Sequence, residues 1–180
     1  RISEFRDGVE RAIEYAKALN CNQCNTLAGI VPDNVSYELA EETLIDNLRF
    51  AADKLKQHDI KLLAEAINTF DIPGFFLNNS AQSIALINKI ESDNLFYQYD
   101  IYHMQRMEGE VANTIQRHLQ SIGHIQLADN PGRHEPGSGE INYDFLLGFI
   151  DKLGYEGWVG AEYIPANGTE HGLGWLKQYA

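Results

Sequence analysis

Four oxygen-bearing side chains, Glu65, Asp100, Gln126 and Glu162, recur at intervals of 35, 26 and 36 residues. Each stands at or near the end of a short apolar run, as in Leu62-Leu63-Ala64-Glu65 and Trp158-Val159-Gly160-Ala161-Glu162. Three carboxylates and an amide are hard oxygen donors. They suit a divalent cation such as Mg2+ or Mn2+ rather than one that seeks thiolates. A single carboxylate after a strand can equally cap the next helix or face water. Four in step weigh toward one metal site.

The elements that must position them follow from hydrophobic periodicity. Phe5, Val9, Ala12, Ile13 and Ala16 predict an amphipathic helix over 3–19. Cys24 to Ala28 reads as a strand, and Ser36 as the N-cap of a helix running to about His58. A strand over 60–67, a helix from Ser80 and a strand over 94–100 come next. Val111, Ile115, Leu119 and Ile122 mark another helix, followed by a strand over 124–128, a helix over 143–153, a strand over 158–162 and a terminal helix near 173–179. A helix followed by five strand–helix units predicts right-handed crossovers and a parallel sheet. Apolar strand runs predict burial on both sheet faces. Every C-terminal strand end then lies on one rim, where Glu65, Asp100, Gln126 and Glu162 meet.

Between the fourth strand and the next helix lies a long polar loop, part of the block Gly123–Asp144, holding Pro131, Gly132, Arg133, Glu135, Pro136 and Gly137. Loops of this length inside a domain are usually functional. Together with Leu62–Asn68, Asp71-Ile72-Pro73-Gly74-Phe75 and Tyr99–Glu110, this block resembles the hydroxypyruvate isomerase branch of the xylose-isomerase-like TIM barrels. The likeness runs nearly end to end. One departure is Glu65-Ala66-Ile67-Asn68, where the family pattern has Glu-Pro-Ile-Asn; the loss of proline's fixed φ loosens the backbone after Glu65.

The resemblance implies a divalent metal, Mg2+ or Mn2+, at Glu65, Asp100, Gln126 and Glu162, with Glu65 and Glu162 also serving as proton donor and acceptor. It implies interconversion of hydroxypyruvate and tartronate semialdehyde through an enediolate, or the same chemistry on a related four-carbon 2-oxo acid. His103, three residues past Asp100, resembles a family substrate contact, against the reading of a loop histidine bonded to backbone. Arg133 is the candidate for the substrate carboxylate, which a guanidinium grips with two hydrogen bonds. His124 is read as packing. Asp129 and Glu140 are read as supporting or capping residues, and Trp158, Trp175 and the tyrosines as core and interface.

The fold expected is an α/β (β/α)8 TIM barrel, with residues 1–180 a single domain carrying the C-terminal five units, strands four to eight. A whole barrel takes ~250 residues, so the domain is expected to be N-terminally incomplete. Exposed edge strands would then favour a homo-oligomer, or leave an inactive fragment that needs a partner. A net charge of −12 opposes nucleic acid and the zinc nucleases of the same superfamily. No apolar run approaches the ~20 residues of a membrane span. Cys21-Asn-Gln-Cys24 leaves a helix for a strand, the reverse of a redox pair, and reads as two reduced thiols of a cytoplasmic enzyme.

Overall fold

The computed structural model describes residues 1–179. The chain forms two compact units, Arg1–Gln98 and one beginning at Tyr99.

In the first unit α1 (Ile2–Leu19) buries Val9, Ile13 and Ala16, one stripe at helical spacing. Asn20 ends it in the left-handed conformation, φ 52°, and its N–H turns back to the carbonyls of Ala16 and Lys17. Strand β1 (Gln23–Leu27) leads to α2 (Tyr37–Lys56), whose N-cap Ser36 accepts from Leu39 N through Oγ at 3.2 Å. Strand β2 (Lys61–Glu65) is buried from Leu62 onward. Asn79 caps α3 (Ser80–Ile90), and β3 (Leu95–Asp100) follows. The pairs β1–β2 and β2–β3 are parallel, with Leu27 opposite Glu65 and Glu65 opposite Gln98.

The second unit opens with α4 (Ile101–Met107) and α5 (Val111–His118), then β4 (Ile122–Leu127), α6 (Tyr143–Lys152), β5 (Val159–Ala161) and α7 (Thr169–Gly172). Strands β4 and β5 are parallel, with Gln126 opposite Gly160. Tyr143, the first residue of α6, donates its hydroxyl to Ala128 O at 2.7 Å and ties the helix to the end of β4.

The alternation of strands and helices is as expected, with four differences. The stretch after Asp100 is a helix, α4, and not a loop, because Asp100 acts as its N-cap. The helix expected to reach Ile122 ends at His118 in a 3-10 turn, Leu119–Ser121, so β4 starts two residues early. Burial on both faces holds for β2 and β3 but not for β1, where Leu27 is exposed, for β4, where Gly123, His124 and Gln126 are half-buried, or for β5, where Ala161 is exposed. Trp158, read as core and interface, lies outside the core: it is 78% exposed just before β5.

Candidate active site

Glu65 closes β2 and is 4% exposed. A carboxylate in such a place must be satisfied by donors. Two amides serve it: Asn25 Nδ2 donates to Oε2 at 2.7 Å and Gln98 Nε2 donates to the same oxygen at 2.9 Å. Both come from strands that flank β2, and Gln98 is its direct register partner. Neither amide was singled out from the sequence, since a supporting donor carries no spacing signature of its own. The turn after Glu65 is held by Asn68, whose Oδ1 accepts from Phe70 N at 3.1 Å and Asp71 N at 2.8 Å.

In the second unit, Asp100 divides its two oxygens. Oδ1 accepts from Tyr102 N at 2.8 Å and His103 N at 3.2 Å, capping α4. Oδ2 is buried and accepts no hydrogen bond among the described residues. The capping reading is met by Oδ1, and Oδ2 takes no part in the cap. His103 is buried on α4, not on a polar loop, with Nε2 3.8 Å from Asp100 Oδ2, too far for a hydrogen bond. Burial pushes the Asp100 carboxyl up to about 6. The Arg133 guanidinium pulls it down and the Glu162 carboxylate adds to the rise, so the structure brings these three charges within reach of one another.

Gln126 lies one residue before the end of β4 and donates Nε2 to Glu162 Oε2 at 2.9 Å. Glu162 sits one residue beyond β5, not at its end, yet its N–H still reaches Leu127 O at 3.0 Å. The Arg133 guanidinium is 3.4 Å from Glu162 Oε2 and lies over the Tyr102 ring, 5.4 Å from its centroid. Arg133 thus already faces a carboxylate. His124 is partly buried, and burial lowers its pKa, in keeping with packing rather than charge. Asp129, set aside in the sequence, is completely buried.

A carboxylate oxygen buried without a hydrogen bond is satisfied by a proton or by a cation. Asp100 Oδ2 offers that oxygen, and Gln126 and Glu162 add further oxygen donors in the same unit. The donor set fits a hard divalent cation.

The xylose isomerase-like TIM barrel description matches this sequence over residues 1–179. The chain belongs to that family. Within these barrels it is 53% identical over 179 residues to hydroxypyruvate isomerase of Escherichia coli K12, covering 99% of this chain and 69% of the relative. It is 42% identical to 2-oxo-tetronate isomerase of Cupriavidus necator over the same shares of both chains. A crystal structure titled AP endonuclease, family 2, from Brucella melitensis superposes with a TM-score of 0.95 at 40% identity, over 99% of this chain and 69% of that one. The chain is thus hydroxypyruvate isomerase-like, of the isomerase class. No helix of the described residues is long and apolar enough to cross a membrane.

Proposed function

We propose that this chain carries the active site of an isomerase that interconverts hydroxypyruvate and tartronate semialdehyde. The observation that carries the reading is the buried, unpartnered Oδ2 of Asp100, under the influence of Arg133 and Glu162. Glu65, Asp100, Gln126 and Glu162 would hold Mg2+ or Mn2+. Glu65 enters this set from the sequence: it ends β2 as Asp100 ends β3. When bound, the cation supplies Lewis-acid stabilisation of charge on the substrate oxygens.

The rest of the chemistry is carried by side chains. Isomerisation removes one proton from C3 and delivers one to C2, through an enediolate, while the hydroxyl hydrogen passes from O3 to O2. One of Glu65 and Glu162 takes the carbon-bound proton and the other returns one. Arg133 turns from Glu162 toward the substrate carboxylate, and His103 lines the same space. Proton transfer by a positioned carboxylate is worth roughly 10²- to 10⁴-fold.

On the same reading the five units are strands four to eight of the barrel and residues 1–180 one domain. The enzyme works in the cytoplasm, and self-association covers exposed side chains such as Ile30 and Trp158. The likeness to 2-oxo-tetronate isomerase favours a second substrate, a four-carbon 2-oxo acid. The nuclease title belongs to the Brucella protein, and a net charge of −12 opposes that activity here. The test is to load the protein with Mn2+ and supply hydroxypyruvate and the four-carbon acid separately. Aldehyde formation from hydroxypyruvate is expected; conversion of the four-carbon acid alone favours the second reading, and cleavage of abasic duplex DNA without isomerisation overturns both.

A further inference from the structure

We infer that Asp129 is a positioning residue of this site, one buried carboxylate that sets the 129–141 loop and, through it, the direction of the Arg133 guanidinium. The inference rests on the proposed role of Arg133 and extends it to a residue that touches neither substrate nor metal. Asp129 follows β4 by two residues. Its Oδ1 accepts from Asn130 N at 2.9 Å and Ile141 N at 3.1 Å, and its Oδ2 accepts from Gly137 N and Gly139 N, both at 2.9 Å. With both oxygens doubly engaged, Asp129 is not a further metal ligand, although its place after a strand invites that assignment. Charge-assisted bonds in a dry setting are the strong ones, and four of them pin both ends of the loop to one side chain.

The fit leaves no room beside it. A Cβ at Gly139 would lie 2.7 Å from Asp129 Oδ1 and collide with the Asn130 carbonyl, so this position must be glycine. Asp129 N also donates to His134 O at 2.8 Å, folding the loop back on its root. Arg133 stands at the turn of that fold with φ 56°, a left-handed conformation unusual for a side chain of its size. From the turn the loop is stitched to the segment after Glu162. Ile164 N donates to Arg133 O at 2.7 Å, His134 Nδ1 lies 2.7 Å from Ile164 O, and Ala166 N donates to Glu135 Oε2 at 2.9 Å. Asp129 thus fixes the backbone that presents Arg133 to Glu162 Oε2 at 3.4 Å. Replacing one of its oxygens by an amide NH2 would set a donor against two backbone N–H groups and release the loop.

The test uses the full chain with Asp129→Asn, Gly139→Ala, Arg133→Ala and the double variant Asp129→Asn/Arg133→Ala. Asp129→Asn and Gly139→Ala should each lower kcat/KM for hydroxypyruvate by roughly 10- to 100-fold, the scale of lost support to a site, mainly through KM. Mn2+ affinity should stay within about threefold of the parent, well inside that scale. Combined with Arg133→Ala, the Asp129 change should add almost nothing, as expected of two residues acting in series. Multiplying losses, a parallel loss of Mn2+ binding, or unchanged kinetics would overturn the inference. A second arm needs no turnover: the Arg133 Nε–H resonance and the Gly137 and Gly139 amides should be ordered and slow to exchange in the parent and averaged in Asp129→Asn. If the parent fails to isomerise anything, the functional proposal falls and this arm alone decides the positioning claim. An Arg133 signal unmoved by Asp129→Asn would reject it.

Discussion

Glu65 and Glu162 are the same residue type given the same proposed task, and the structure surrounds them differently. Glu65 is buried at the end of β2, with two neutral amides on one oxygen. The Glu162 side chain is 55% exposed, one residue past β5, and is held by one amide and a guanidinium. The first carboxylate is held by neutral amides of neighbouring strands, out of the reach of salt screening. The second is held by a loop residue that has another role to play, and its ion pair is exposed to salt. One proposed proton carrier is held by neighbouring strands; the other is held in part by the loop residue Arg133. Asp100 stands between these extremes, with one oxygen spent on capping α4 and the other left without a hydrogen bond.

The largest expected effect is at Asp100. Asp100→Asn keeps an oxygen for the cap but removes the anionic ligand, so turnover should fall by at least about 10³-fold, or ~4 kcal/mol of barrier. Stability should move the other way. With its pKa raised from 3.8 to about 6, protonated Asp100 contributes stability that is complete below pH 3.8 and lost as pH rises through 6. Above that pH the metal-free parent carries a buried charge costing roughly 3 kcal/mol, which the variant lacks. Urea melts in a chelator from pH 4 to pH 8 should show the variant gaining on the parent across that window. Equal melts at pH 8 would remove Asp100 as a strained carboxylate.

Next come the two glutamates themselves. Glu162→Gln should lose roughly 10²- to 10⁴-fold in kcat while its melting curve barely moves, because an exposed ion pair contributes little to folding. Glu65→Gln should lose as much activity, and its remaining oxygen can still accept from both Asn25 and Gln98. Activity within about tenfold of the parent, or ~1.4 kcal/mol, in either variant would strip that residue of its proton-transfer role. Smaller again is Asn25→Ala, which takes one amide donor from the buried Glu65 carboxylate. About 1–3 kcal/mol of stability should go with it, together with part of the activity. The smallest effect separates the two environments directly: raising salt to about 1 M, where screening acts over ~3 Å, should weaken the Arg133–Glu162 pair. KM should shift about twofold in the parent and not at all in Arg133→Ala.

Much of this arrangement was written in the sequence, in particular wherever a strand's apolar run ends in a charge. Glu65, Asp100 and Gln126 lie at the strand ends expected of them, since β2, β3 and β4 end within a residue of them. Glu162 fell one residue outside β5, since three residues carry too little pattern to fix a boundary. Helix α4 leaves little trace in the sequence, since seven residues give barely two turns of periodicity and its N-cap, Asp100, also reads as the end of a strand. Asn25, Gln98 and the Asp129 clamp were invisible for a different reason. Asn25 and Gln98 donate to the Glu65 carboxylate and Asp129 accepts from backbone N–H groups, and such pairings leave no period in the side-chain order.

The central claim, proton transfer between adjacent carbons of a small hydroxy-keto acid, is most directly tested by proton NMR of hydroxypyruvate in deuterated buffer with the Mg2+-loaded protein. The C3 proton signals should decay as deuterium enters and tartronate semialdehyde appears, and both changes should vanish in Glu162→Gln. Hydroxypyruvate that keeps its C3 protons through prolonged incubation with metal-loaded protein would contradict the account.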